Sequence, residues 1–236
     1  MSCIATSSAA ALLLALVAPL GAQDAAPTAT EPFPGVRVDL GAGTVEFDGF
    51  VPIDAHNDDT PTVYLEQIIC SPDTREHETL VVTKAKPSHI HAGLLMIGLQ
   101  PGKPGAWAFD GDLAKFQPPE GDAVRVEFLW TDPQGVAHAD DPASWVKHAT
   151  TGAPLPAREF LFAGSRFVRR GGAEVYDADG AGTIAGLATF GSELLAWPTG
   201  INPEAAIDEP VWIADRATTP LAGTEVTVRL SAPKKN

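Results

Sequence analysis

The sequence predicts an α+β fold: a mainly antiparallel β-sheet carrying one principal helix and one or two short helices. Three observations lead there. Short runs such as "VRVDL", "TVEFDGF" and "DAVRVEFLWTD" alternate apolar and polar residues at the two-residue period of a strand. Clusters of Gly, Pro, Asn and Asp punctuate these runs at short intervals. One segment only, about residues 88–98, has the cap, the periodicity and the stop of a sizeable helix.

Taken in order, the chain opens on an apolar run, residues 9–22 ("AAALLLALVAPLGA"), which is too short to span a bilayer and ends in small residues. That is the composition of a secretory signal cleaved near Ala22 or Gln23, although "MSCIATSS" before it holds no Lys or Arg. Residues 1–22 are therefore expected as a signal peptide and 23–34 ("QDAAPTATEPFP") as a flexible Ala/Pro/Thr linker. Residues 35–231 suit a single globular domain with a substantial core, and 232–236 form a short basic tail.

Within the domain, "GVRVDLGAGTVEFDGFV" reads as a hairpin turned at "GAG". "TVYLEQIIC" and "ETLVVTKAK" are the next strands, joined through "SPDTREH". In "KPSHIHAGLLMIG", Ser88 is a good N-cap and Gly98 a good stop. Ile90, Leu94 and Ile97 fall at i, i+4 and i+7, so one helix face packs on the sheet. "QPGKPGAW" is a loop, "DAVRVEFLWTD" a strand turned by "PQG", and "DPASWVKHAT" a Pro-led short helix. "REFLFAGSRFV", "AEVYDADGAGTIAGLATF", "PVWIAD" and "GTEVTVRL" complete the strands. Trp130, Trp145, Trp197 and Trp212 are expected to build core.

Composition excludes several classes. A formal charge of -14 repels phosphate backbones, so nucleic acid and anionic membrane surfaces are not expected partners. Beyond residues 9–22 no run is apolar enough for a membrane span. Cys70 is the one cysteine after processing, which leaves no internal disulfide and too few thiolates for an iron–sulfur cluster. Its apolar strand predicts a buried, inert thiol.

The block "YLEQIICSPDTREHETLVVTKAKPSHIHAGLLMIGLQPGKPG" resembles the core motif of the YdjY-domain family, coupling a "HETLV" strand to an "IHAGLLMIGLQPG" helix and loop. "VEFLWTDPQG", "FLFAGSRF", "YDADGAG" and "FGSELL" are similar to its later blocks, so the resemblance spans about residues 35–231. It implies an exported or envelope-anchored bacterial protein, periplasmic, envelope-bound or secreted. It brings no assigned activity.

Two chemistries compete for "KPSHIH". The first is an anion site: the free amides after Ser88 form a helix N-terminus, with Lys84, Lys86, His89 and the nearby Lys103 adding donors or charge. The second is a divalent transition-metal site of His77, Glu78, His89 and His91, the residue types such ions take. Geometry argues against the second. The strand "ETLVVTK" carries the chain about 23 Å at roughly 3.3 Å per residue, placing its start and the helix start at opposite ends. Residues at i and i+2 of a helix also point about 200° apart. A structural role remains open, with His89 on the solvent side of the cap and His91 packed on Ile68 or Val81. Elsewhere, "DADGAGTIAGLA" (177–188) places Asp177 and Asp179 as a calcium loop does, but Ala181 and Ala188 stand where ligands belong, so it reads as a Gly-rich turn. Ser165 in "AGSRF" lacks a nucleophile elbow.

The functional expectation is an exported, non-enzymatic domain that binds a small ligand or an envelope protein and needs no cofactor. The alternative is a metal-dependent, hydrolase-like enzyme built on the His/Glu cluster.

Overall fold

The alternating valines pair directly in the first hairpin. In the computed structural model, which describes residues 29–57, 59–111 and 113–234, β1 (Thr30–Phe33) and β2 (Val36–Asp39) lead into β3 (Thr44–Phe50). Gly43, at φ 65°, supplies the left-handed position of the "GAG" turn. Val38 lies opposite Val45, and Val36, Val38, Val45 and Phe47 are fully buried. The expected linker over 23–34 therefore ends in a strand, because Thr30 pairs with Val38 and Phe33 with Val36. Its start, the expected signal segment 1–22 and the last two residues of the expected basic tail lie outside the described residues.

β4 (Gln67–Cys70) and β5 (Thr79–Thr83) follow, linked through a 3-10 turn at Glu76–Glu78. Both are buried along their whole length, as near-continuous apolar runs require when both faces are covered. Cys70 is a free, buried thiol, pushed up by desolvation. Next comes the principal helix, α1 (Pro87–Met96). It starts two residues earlier than Ser88 capping predicts, with Lys86 as the N-cap, because Pro87 occupies the first turn, where its missing N–H costs nothing. At its other end Gly98 (φ 90°) donates to Leu95 O at 3.0 Å and Leu99 N to Leu94 O at 3.1 Å, the paired bonds of a Schellman stop. Ile90 and Leu94 are fully buried, about 1.5–3 kcal/mol each relative to exposure. Gly93 sits so close to the hairpin that a Cβ there would lie 3.0 Å from Val45 Cγ1.

β6 (Pro101–Lys103), β7 (Ala106–Asp110), β8 (Leu113–Gln117) and β9 (Glu120–Gly121) make two small ribbons, β6 with β9 and β7 with β8. The long strand β10 (Ala123–Thr131) turns into β11 (Ala137–Asp140). The expected Pro-led helix is a 3-10 turn, Pro142–Trp145, capped by Asp141, whose side chain accepts from the Ala143 amide. It leads to β12 (Val146–His148) and β13 (Phe160–Phe162). "REFLFAGSRFV" is not one strand: Gly164 and Ser165 both take positive φ (79° and 55°) and break it before β14 (Phe167–Arg170). β15 (Ala173–Tyr176) then runs into α2 (Asp177–Ala181), a short helix where a hairpin turn was expected, closed by Gly182 at φ 71°. β16 (Thr183–Gly186), β17 (Leu195–Ala196), β18 (Trp212–Ala214) and β19 (Glu225–Ser231) complete the chain.

The fold is strand-rich as expected, but its main sheet closes on itself. β3, β19, β10, β13, β17, β16, β4 and β5 pair in that order, and β5 returns to β3 through Thr83 opposite Gly49 and Val82 opposite Phe50. An eight-stranded barrel results, with β4–β5 and β16–β17 parallel and the remaining ring pairs antiparallel. A two-residue period assigns faces, not partners, so closure is not written in the alternation. Closure uses a partner change along one edge of β3. Thr44–Glu46 pairs with β2, and Gly49–Phe50 with β5. Gly49 makes that crossing fit, since a Cβ would lie 2.6 Å from Val82 O. Trp145 and Trp197 are buried, and Trp130 and Trp212 pack half-buried on the same core.

Candidate ligand pocket

The helix end expected to hold an anion already holds one, from the chain itself. The Ser88 amide donates to Asp179 Oδ1 at 2.8 Å and the Ser88 hydroxyl to Asp179 Oδ2 at 2.7 Å. The amides of His89 and Ile90 turn back to Lys86 O at 3.0 and 3.1 Å. Lys84 and Lys86 are exposed, and Lys103 sits across a ribbon from Glu120, its Nζ 2.8 Å from the carboxylate. Ser88, Lys84, Lys86 and His89 thus do not frame an open anion pocket. α2 delivers Asp179 onto α1, a contact no local pattern announces.

The four metal candidates go to three places. His77 is exposed, with Nε2 3.3 Å from Glu78 Oε1. His89 stacks on Phe33, centroids 5.5 Å apart, and its Nδ1 is buried without a partner. His91 points the other way, its edge against Phe162 (4.9 Å) and Tyr176 (5.6 Å) rather than the expected Ile68 or Val81. The Tyr176 hydroxyl donates to Gly164 O at 2.9 Å and lies 2.9 Å from His91 Nδ1. One phenolic hydrogen serves one acceptor, so Nδ1 of His91 carries a proton and donates to the oxygen. Desolvation holds His91 below the usual imidazole value, and burial with the nearby Asp179 charge pushes Tyr176 up. Among the described residues no three His, Cys, Asp or Glu side chains gather as a metal site. The calcium-like stretch is likewise committed. Asp177, 3% exposed, accepts from Arg166 Nε at 2.9 Å and Arg170 Nη2 at 2.8 Å. Ser165 Oγ donates to Ser192 O at 2.8 Å and accepts the Ala178 amide at 3.1 Å.

Glu78 leads to a different site. Glu66, just before β4, donates its amide to Glu78 O at 3.0 Å and accepts the amides of Leu187 and Ala188 at 3.0 and 2.9 Å. Its backbone is therefore fixed between two barrel strands. Its side chain meets Arg75, whose Nη1 lies 2.5 Å from Glu66 Oε2 and 3.5 Å from Glu78 Oε2, with the guanidinium 4.1 Å above the Phe190 ring. One cation serves two carboxyl groups. Burial, then the hydrogen bond and charge of Glu78, outweigh Arg75 and push Glu66 up to about 7.

Glu66 lines a cavity of about 110 Å³, walled by Leu65, Ile201, Val211 and Trp212 and by Asn202, Asp208 and Glu209. The Leu65 amide donates to Trp212 O at 2.8 Å, which pins the two sides together. Asn202 is 4% exposed. Its amide donates to Asp208 Oδ2 at 3.1 Å and its Oδ1 accepts from Glu204 N at 2.9 Å, so the orientation of the carboxamide is fixed. The remaining donor, Nδ2, is buried without a partner. Buried donors without partners are rare in folded proteins, and a carboxyl titrating near neutrality in a cleft is a mark of a working site. The residues around the cavity thus combine an apolar wall with acidic side chains and one unmet amide donor. Of this group the sequence pattern singles out Glu78 alone. The available signal was Glu66 itself, an acid inside the apolar run "YLEQIIC".

The YdjY domain matches residues 36–231, which takes in every barrel strand, α1, α2 and the pocket residues. No curated protein and no solved structure matches the chain. With most of its length covered by that one domain, the chain belongs to the YdjY domain family.

Proposed function

We propose that the protein is an exported, non-enzymatic domain that binds a small polar ligand in the Glu66–Asn202 pocket. The observation that carries this reading is Asn202 Nδ2, a buried donor without a partner in a residue that lines a cavity. Leaving such a group unmet costs about 1–3 kcal/mol, and a ligand acceptor recovers that cost on binding. The mixed wall, apolar Leu65, Ile201 and Trp212 beside a few fixed polar groups, is the usual make-up of a small-molecule site. Export is supported by the apolar run over 9–22 and its small-residue end. The metal-dependent alternative has less support, because among the described residues His77, His89 and His91 do not gather with other ligand types.

The test is a nitrogen-15 NMR titration of the chain from residue 23 onward with acetamide, ethylene glycol and ethanolamine as probes. Shifts at the Asn202 side-chain amide and the Trp212 indole support the reading. A set that leaves both signals unmoved rules out this pocket. For export, N-terminal sequencing of protein recovered from outside the cytoplasm is expected to begin near Gln23.

A further inference from the structure

Resting on that reading, we infer that the pocket selects a small primary amine that also carries a neutral oxygen acceptor, and rejects free amino acids. The charge of the lining sets the first part. Three acidic residues, Glu66, Asp208 and Glu209, are among those that line the cavity, and no Lys or Arg is. Arg75, the cation paired with Glu66, is held between Glu66 and Glu78 above Phe190. An ammonium group answers this excess of acceptors with its three donors, and hydrogen bonds to charged groups are the strong ones.

Asn202 sets the second part. Its Nδ2 can only donate, so the ligand presents an acceptor there. That acceptor is neutral. A carboxylate in the same small space would stand against Glu66, Asp208 and Glu209, and like charges at close range are costly. Size sets the third part. A cavity of about 110 Å³ is smaller than the roughly 150 Å³ cavity that holds benzene, which limits the ligand to about four or five heavy atoms. Trp212 and Leu65 suit the short carbon spacer between the two polar ends.

Three probes of equal reach separate the possibilities: ethanolamine, ethylene glycol and glycine, titrated at pH 8 against the chain from residue 23 onward. At that pH Glu66, pushed up to about 7, has given up its proton. The readout is the dissociation constant from the Asn202 side-chain and Trp212 indole signals. Ethanolamine is expected to bind about tenfold or more tightly than either of the others, the worth of one charged hydrogen bond. Glu66→Gln is expected to bring ethanolamine down to the affinity of ethylene glycol, erasing that preference. Asp208→Asn, which keeps an acceptor for the Asn202 amide, provides a second variant should Glu66→Gln unfold, and is expected to weaken ethanolamine more than ethylene glycol. Equal binding of ethanolamine and ethylene glycol would overturn the amine inference and leave the pocket standing. Binding by none of the three would remove the pocket itself.

Discussion

Asp179 caps a helix far earlier in the chain, its two carboxylate oxygens holding the amide and the hydroxyl of Ser88, 91 residues away. A carboxylate at a helix N-terminus answers both the unpaired amides and the positive end of the helix dipole. Asp179→Ala is expected to cost about 1 kcal/mol, seen as a fall in Tm of roughly 2–4 °C for a domain of this size. The vacated helix end should then take an external anion. Sulfate is expected to raise the Tm of the variant more than that of the unaltered protein, and equal responses would show that Asp179 does not occupy the anion position.

Tyr176 is the partner of a neutral imidazole. Tyr176→Phe leaves His91 Nδ1–H buried without an acceptor and is expected to destabilise by about 1–3 kcal/mol, measured by urea unfolding. The sign of the pH effect follows from His91 standing below its ordinary value. The unfolded chain takes up a proton near pH 6.5 that the folded chain refuses, so this residue makes the protein less stable as pH falls through that point. His91→Phe is expected to flatten that part of the profile.

Glu66 works in the opposite direction. Its carboxyl is pushed up to about 7 in the folded protein against an ordinary 4.5. The folded chain keeps a proton that the unfolded chain has lost, so the stabilising difference is complete below pH 4.5 and disappears as pH rises through 7. Asp48, Asp132 and Asp215, held below ordinary values, are ionised in both states across that window. Comparison of Tm at pH 5 and pH 8 is expected to show a larger fall for the unaltered protein than for Glu66→Gln. Equal falls would place the titrating group elsewhere.

Gly49 closes the barrel. Gly49→Ala forces a methyl against Val82 O and Val81 Cγ1, at 2.6 and 2.7 Å before relaxation. Overpacking of this kind costs about 1–3 kcal/mol, more where the neighbour is backbone. Hydrogen exchange should quicken first in β5 and in the C-terminal half of β3, because those pairs hold the seam. Uniform quickening across all strands would mean that the seam is not the weak point.

Much of this architecture is legible in residue order. The valines of β2 and β3 declare their faces, Ile90 and Leu94 declare the buried side of α1, and Gly98 declares its end. What residue order leaves out is partnership. Val82 carries no mark that it will meet Phe50. Asp179 reads as a turn residue because its ligand, Ser88, lies in another helix. The same holds at the pocket. Asn202 sits in "INPE", which reads as loop, and only the fold shows that its Oδ1 is taken and its Nδ2 is not. The two histidines of "SHIH" were legible as divergent, and the structure sends them to Phe33 and to Phe162.

β19 has a consequence for synthesis. It lies between β3, near the start of the domain, and β10, at its middle, and pairs with both along most of its length. A nascent chain that has produced every other barrel strand still has two unpaired edges facing each other across a gap of one strand. Long-range pairing of this kind is slow and comes late. Until Glu225–Ser231 has emerged, the nascent chain can form no more than an open sheet, not yet committed to its barrel.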